Sequence, residues 1–190
     1  STILVPGSPR TEIAAQAKRW KADLVVVGSR GHGALRRTLL GSVAQAVVRR
    51  APCSVEIVRP PAHGRAGGTA MTILLATDGS EASLEAARSV AGRPWPSGTR
   101  VHVVSVARSA RTSADSWTIS AAMLKRFDEE ARRAAKKAAA AAARILESAG
   151  IAVSEAVLEG DPRKCLLGAD PPDLLVVGSH GRHGLDRLLP

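Results

Sequence analysis

Asp23-Leu-Val-Val-Val-Gly-Ser-Arg-Gly31 returns, nearly unchanged, as Asp173-Leu-Leu-Val-Val-Gly-Ser-His-Gly181, and the upstream Gly7-Ser-Pro-Arg10 returns as Gly160-Asp-Pro-Arg163. The distance from the first glycine to the one ending the apolar run differs by three residues between the repeats, which a helix-to-strand connection absorbs. The chain therefore holds two copies of one unit. Each apolar run is short, bounded by turn residues and closed by a glycine, as expected of a strand buried on both faces.

Between the copies, Arg59-Pro-Pro-Ala-His-Gly-Arg-Ala-Gly-Gly-Thr-Ala70 is rich in Gly and Pro and lacks apolar periodicity, so it reads as a flexible connection. We divide the chain into a first copy over residues 1–60, a linker over 61–70 and a second copy over 71–190. In the second copy Thr72-Ile-Leu-Leu-Ala76 is a buried-type strand closed by Asp78-Gly-Ser80. Ser80 precedes a helix reaching about Ala91, with Leu84, Ala87 and Val90 on one face. Val101–Val106 reads as the next strand. A long helix from about Ser120 to Ser148 carries a stripe of Leu124, Phe127, Ala131, Ala135, Ala138, Ala142 and Ile145. Asp128 with Arg132 and Glu129 with Arg133 are four-residue pairs on its wet side, so its charged face reads as solvated surface. Gly150 ends that helix, Val153–Leu158 forms a third strand, Pro162 opens a short helix and Leu174–Val177 forms a fourth strand. Strands alternating with helices predict an α/β fold, an open parallel sheet with helices on both faces in a Rossmann-like arrangement. Ligands in such sheets sit beyond the carboxyl ends of the strands, where strand order reverses.

In the first copy Thr2–Val5 stands where Val153–Leu158 stands in the second. Past its glycine loop, Ser42–Arg50 is a helix with Val43 and Val47 on one face and two arginines at its negative end. Pro52 stops it, and Ser54–Val58 is a last strand. The first copy thus matches the closing half of the unit, and the second stops where the Ser42–Arg50 helix would begin.

Composition narrows the functional classes. Residues 1–70 carry 11 Lys/Arg against 3 Asp/Glu, and residues 71–190 carry 16 against 14. A basic field of this kind attracts phosphates. One Phe, no Tyr and three scattered Trp (Trp20, Trp95, Trp117) give no stacking platform, which disfavours nucleic acid as the partner. Neither a signal-type segment nor an apolar run near the roughly 18 residues that span a bilayer is present, so no membrane partner and a cytoplasmic location are expected. Cys53 and Cys165 are far apart with no CxxC or Cys/His spacing, so free thiols are expected.

The stretch Gly28-x2-Gly31-x9-Gly41-Ser42 follows a strand and ends at a helix start. Gly28 and Gly31, without Cβ, let the backbone approach a ribose or phosphate. Gly41 and Ser42 would offer amides at a helix N-terminus, a seat for phosphate. The bland alternative is a tight strand-to-helix turn with an ordinary capping serine. Neither GxGxxG nor GxxxxGK[ST] is present.

The glycine pattern, the strand ending Ala76-Thr-Asp-Gly-Ser80 and the closing Ala51-Pro-Cys-Ser-Val55 resemble the universal stress protein family. That resemblance implies a five-stranded parallel sheet, a homodimer or an intramolecular pseudo-dimer of tandem copies, and ATP binding, with magnesium, in one branch of the family. Carried over, Ala76 and Asp78 correspond to adenosine-contacting positions and Val106 to an apolar adenine contact. Val177, Gly178 and Gly181 complete the adenosine and phosphate side, and Gly28, Gly31, Gly41 and Ser42 match the phosphate loop. Neither copy alone contains every part of that site. The chain reads as part of a longer tandem protein, or as one in which residues 35–60 dock beyond the fourth strand of the second copy.

Asp78 fits a ribose or magnesium contact and equally a cap for the next helix. Arg30, Arg36, Arg37 and Arg182 flank the glycine loops and suit a polyphosphate. His180 and His183 lack a third ligand, and Ser29, Ser105 and Ser179 lack a local base. An ATP-binding stress-response protein, at most a slow ATPase, is therefore expected, with a nucleotide-free dimerisation or partner-docking module as the alternative.

Overall fold

The computed structural model describes residues 2–29, 40–59, 70–108 and 120–179. It contains two compact units, Ser1–Ala66 and Gly67–Pro190.

In the smaller unit, α1 (Pro9–Trp20) begins on Pro9, whose fixed φ suits the first helical position. It ends with Lys18 and Arg19 at the negative end of the helix. β1 (Leu24–Gly28), α2 (Ser42–Arg50) and β2 (Ser54–Val58) follow. The two strands run parallel, from Leu24 beside Ser54 to Gly28 beside Val58. Ala14, Ala17, Ala44 and Val47 are the buried apolar residues of this unit among those described. β2 pairs with β1 within this unit.

Thr2–Val5 is not a strand, contrary to the position it holds in the repeat, and the Leu4 side chain is 96% exposed. The reason is tertiary. Its counterpart in the larger unit is extended because another strand pairs with it, and among the described residues of the smaller unit no strand does so.

The larger unit comprises β3 (Thr72–Ala76), α3 (Glu81–Ala91), β4 (Arg100–Ala107), α4 (Ala121–Ser148), β5 (Ala152–Glu159), α5 (Pro162–Leu167) and β6 (Leu174–Val177). The strands pair in parallel in the order β5-β4-β3-β6. Asp173, which opens the repeat, locks β6 to β3: its carboxylate accepts from the Thr72 N–H at 2.8 Å, and its own N–H donates to the Thr72 carbonyl at 2.9 Å.

One face of the sheet is covered. Ile73, Leu75, Val101 and Val103 are fully buried there, in a cluster with Ala87 and Val90 of α3 and Ala139, Ala142, Ala143 and Leu146 of α4. The sequence stripe on α4 is correct in its middle and displaced at its ends. Leu146 is fully buried where Ile145 is only partly so, and Phe127 is exposed. A long alanine run carries little phase information, so the buried face is set by where the sheet lies.

Truncating Leu146 to Ala should therefore cost about 2–5 kcal/mol in urea denaturation followed by the helical circular dichroism signal. Phe127→Ala on the same helix should cost less than about 1 kcal/mol.

Candidate functional site

β3, β4 and β5 follow one another outward in one direction, and the chain then crosses back to set β6 on the free side of β3. The order reverses between β3 and β6, and the crevice of this sheet type opens there, beyond the carboxyl ends. Ala76 stands beside Val104 on one side and Val177 on the other. Register partners in a parallel sheet point to the same face, and Val106 lies two residues beyond Val104. The structure thus brings Ala76, Val106 and Val177 to the face opposite α3 and α4. Ala76 and Val106 are half-buried and Val177 is exposed.

The turn that follows β3 is held by its own hydroxyls. The Thr77 N–H donates to the Val104 carbonyl at 2.9 Å, carrying the β3–β4 pairing one residue past the strand. The Gly79 N–H donates to Thr77 Oγ1 at 3.2 Å, and Thr77 Oγ1 lies 2.9 Å from Ser83 Oγ. Ser83 Oγ donates to the Ser80 carbonyl at 2.9 Å. A hydroxyl has one proton, so Thr77 is the donor to Ser83, and a continuous chain runs from Gly79 through Thr77 and Ser83 to Ser80. Gly79 has φ +76°, in the left-handed region where a glycine is at ease. Asp78 Oδ1 accepts from the Ser80 N–H at 3.0 Å, and Ser80 Oγ caps α3 by accepting from the Ser83 N–H at 3.3 Å. The turn-capping role for Asp78 is thus present, and it also fixes the carboxylate beside Ala76.

Thr77 and Ser83, both buried, were not singled out from the sequence. The available signal was the Thr77-Asp78-Gly79-Ser80-x-x-Ser83 succession of short hydrogen-bonding side chains around a glycine.

The glycines differ from their expected roles. A Cβ on Gly178 would lie 2.8 Å from Ala82 C and Ser83 N and 2.9 Å from the Ala82 carbonyl oxygen. That corner is filled by the first turn of α3, and the missing side chain serves packing of helix on strand. Gly28 is an extended residue of β1, paired with Val58. Gly41 has φ −67°, and its N–H donates to the Ser29 carbonyl at 2.8 Å, so it is not the unpaired amide anticipated. Ser42, exposed, opens α2, whose N-cap is Gly41 with no side-chain cap. Gly28, Gly41 and Ser42 belong to the smaller unit, and Ala76, Asp78, Val106, Val177 and Gly178 to the larger one. Gly31, Gly181, Arg30, Arg36, Arg37, Arg182, His180 and His183 lie outside the described residues.

Farther along the same sheet end, Arg132 of α4 grips Glu159 at the end of β5 with two contacts, Nε to Oε1 at 2.7 Å and Nη2 to Oε2 at 2.9 Å. The hydrogen bond to the Glu159 carboxylate holds the Arg132 guanidinium above its ordinary pKa. Both side chains are about half exposed, so the pair orients more than it stabilises. Among the described residues no group of His, Cys, Asp or Glu could hold a metal ion. No described helix is long and apolar enough to cross a membrane.

A parallel α/β sheet whose strand order reverses between β3 and β6, with helices packed on it, defines the Rossmann-like class. Within that class the chain belongs to the universal stress protein family, whose sequence profile matches residues 1–59 and 70–189. It is 33% identical over 170 residues to a universal stress protein of Mycobacterium tuberculosis, covering 89% of this chain and 56% of that protein. A universal stress protein of Methanocaldococcus jannaschii is 45% identical over 60 residues, 32% of this chain and 35% of that one. The chain thus spans about half the mycobacterial relative's length, or less for the archaeal one. A universal stress protein structure from Archaeoglobus fulgidus superposes with TM-score 0.51 at 22% identity, covering 87% of this chain and 52% of that one.

Replacing Gly178 by Ala should destabilise the protein by about 1–3 kcal/mol, because the clash is with backbone that has nowhere to go. Ser80→Ala, which removes the α3 cap, should cost about 1 kcal/mol. Chemical denaturation of the two variants checks both values.

Proposed function

We propose that this universal stress protein binds an adenine nucleotide, ATP with magnesium in its fullest form, at the carboxyl ends of β3 and β6. The observation that carries the reading is the placement of Ala76, Val106 and Val177 on one face of the sheet beside the Asp78 carboxylate, where the strand order reverses. The apolar residues suit the flat face of adenine, and a carboxylate held in a turn suits ribose hydroxyls. The adenosine side fits these residues. On the phosphate side Gly178 leaves no room at its own Cβ position, so in the larger unit the phosphates would depend on Gly181, while Gly28, Gly31, Gly41 and Ser42 would serve the phosphate loop of the smaller unit. When bound, magnesium would neutralise phosphate charge, and Asp78 is the described candidate side chain for it. No described residue is placed as a general base, so hydrolysis would at most be slow.

The same reading takes residues 1–60 as matching the closing half of a first copy and residues 71–190 as matching the opening part of a second. It makes the protein a cytoplasmic stress-response regulator acting as a homodimer or pseudo-dimer. A second reading, a nucleotide-free dimerisation or docking module of the same fold, is favoured by the Gly178 corner and by the Gly41 amide that Ser29 occupies.

Calorimetric titration separates the two. Binding of ATP with magnesium should be measurable, and Asp78→Ala should weaken it by about tenfold or more, the loss of a charge-assisted hydrogen bond. Absence of heat and of any thermal shift at millimolar ATP would leave the docking reading in place. Adenosine binding as tightly as ATP would show that the phosphate loop takes no part.

A further inference from the structure

One buried hydroxyl closes the turn that carries Asp78 from both ends. Ser83 Oγ lies 2.9 Å from Thr77 Oγ1, on the strand side of the aspartate, and donates to the Ser80 carbonyl at 2.9 Å, on the helix side. Between those two anchors the Gly79 N–H donates to Thr77 Oγ1 and the Ser80 N–H donates to Asp78 Oδ1. Ser83 also backs the neighbouring strand: a Cβ on Gly178, the residue after β6, would lie 2.8 Å from Ser83 N. It therefore touches both sides of the point where the strand order reverses, the β3 turn through its hydroxyl and the end of β6 through its backbone.

A serine in this place has a cost to offset. It forms a helix less readily than alanine, and a hydroxyl only 3% exposed has to be paired. Capping of α3 does not require it, since Ser80 Oγ accepts from the Ser83 N–H, which an alanine would supply equally well. What the hydroxyl adds beyond alanine is the link from Thr77 to Ser80, and with it the shape of the turn that bears Asp78.

We propose that Ser83 is a positioning residue of the adenine-nucleotide site: its side chain meets no ligand, and it acts by holding the Thr77–Ser80 turn so that Asp78 presents its carboxylate beside Ala76 and Val177. For its ligand this role rests on the nucleotide reading; for the turn it does not. Thr77 is the intermediary, because its proton goes to Ser83 while its oxygen takes the Gly79 N–H. Without Ser83 Oγ the buried Thr77 hydroxyl loses its acceptor, turns toward another and gives up the Gly79 amide. Asp78, one residue from each of these groups, then loses its direction.

Adenosine titration, together with amide exchange in the nucleotide-free protein, tests this role. Ser83→Ala and Thr77→Val each remove one member of the chain with little change of volume, and each should weaken adenosine binding about tenfold. Thr77→Ser keeps the hydroxyl and should bind within about twofold of the parent protein. Because both residues act through one link, the double variant Ser83→Ala/Thr77→Val should lose no more than either single variant. Val90→Ala, in the core at the far end of the same helix, should lower stability without moving the affinity, which separates positioning from a general loss of structure. Without nucleotide, the Gly79 and Ser80 amides of Ser83→Ala should speed up in exchange about tenfold more than the amides of β3 do. Parent-like adenosine binding by Ser83→Ala, a Thr77→Ser variant as weak as Thr77→Val, losses that multiply in the double variant, or unchanged exchange at Gly79 and Ser80 would each overturn the role. If the parent protein binds no adenosine, the nucleotide reading fails on that result alone, and the exchange measurement by itself upholds or overturns Ser83 as the residue that sets the Asp78 turn.

Discussion

The approach of α4 to β3 and β4 is what the rest of the larger unit depends on. Ile73, Leu75, Val101 and Val103 are fully buried because a helix lies flat against them, and it lies flat because it presents Ala135, Ala138, Ala139, Ala142 and Ala143 until Leu146 fills the end. Alanine costs no side-chain entropy in a helix and keeps the helix axis near the sheet. Each buried Val or Leu then contributes about 1.5–3 kcal/mol. Larger side chains at Ala139 or Ala142 would lift the helix and thin the contact along both strands.

From that packing the positions at the sheet end follow in sequence. β4 fixed under α4 presents the Val104 carbonyl, which takes the Thr77 N–H. Thr77, so placed, reaches Ser83, and Ser83 reaches Ser80. Asp78 is then held between a strand end and a helix start whose own positions are set by the core. The two faces of the sheet consequently differ: α3 and α4 pack on one, while on the other half-buried Ala76 and Val106 and exposed Val177 stand at the strand ends beside the Asp78 carboxylate. A site whose side chains arise from rigid strand ends needs little ordering when a ligand arrives.

The strands and helices were largely legible in the sequence because their signals are local: short apolar runs, a serine before a helical face, glycine and proline at the breaks. Ser80, Gly150 and Pro162 stand at the boundaries their chemistry predicts. Four things were not legible, each for its own reason. Thr2–Val5 has strand composition, but a strand is a property of a pair. The buried side of α4 was displaced because alanine fits either side of a helix. Gly178 shows that a missing Cβ reveals that something comes close without revealing what, and here it is the backbone of Ala82 and Ser83. The Thr77–Ser83 network was invisible for want of any period, since its members are joined by hydrogen bonds across a turn.

The two repeats, compared with each other, separate local encoding from tertiary encoding within one molecule. Gly7-Ser-Pro and Gly160-Asp-Pro adopt the same backbone, down to identical dihedrals at Ser8 and Asp161, although Asp161 accepts a capping bond from the Lys164 N–H and Ser8 makes no side-chain cap. The shape therefore comes from a glycine at positive φ followed by a proline with fixed φ, and the cap adds stability to a geometry that already exists. Immediately upstream the repeats part: residues 152–159 pair with β4 along their whole length, and residues 2–5 pair with nothing described. The same kind of sequence thus pairs in the larger unit and, among the described residues, does not in the smaller one, while the turn beside it has the same backbone in both. Structure that survives this comparison is written in the segment itself, and structure that does not is a demand for a partner.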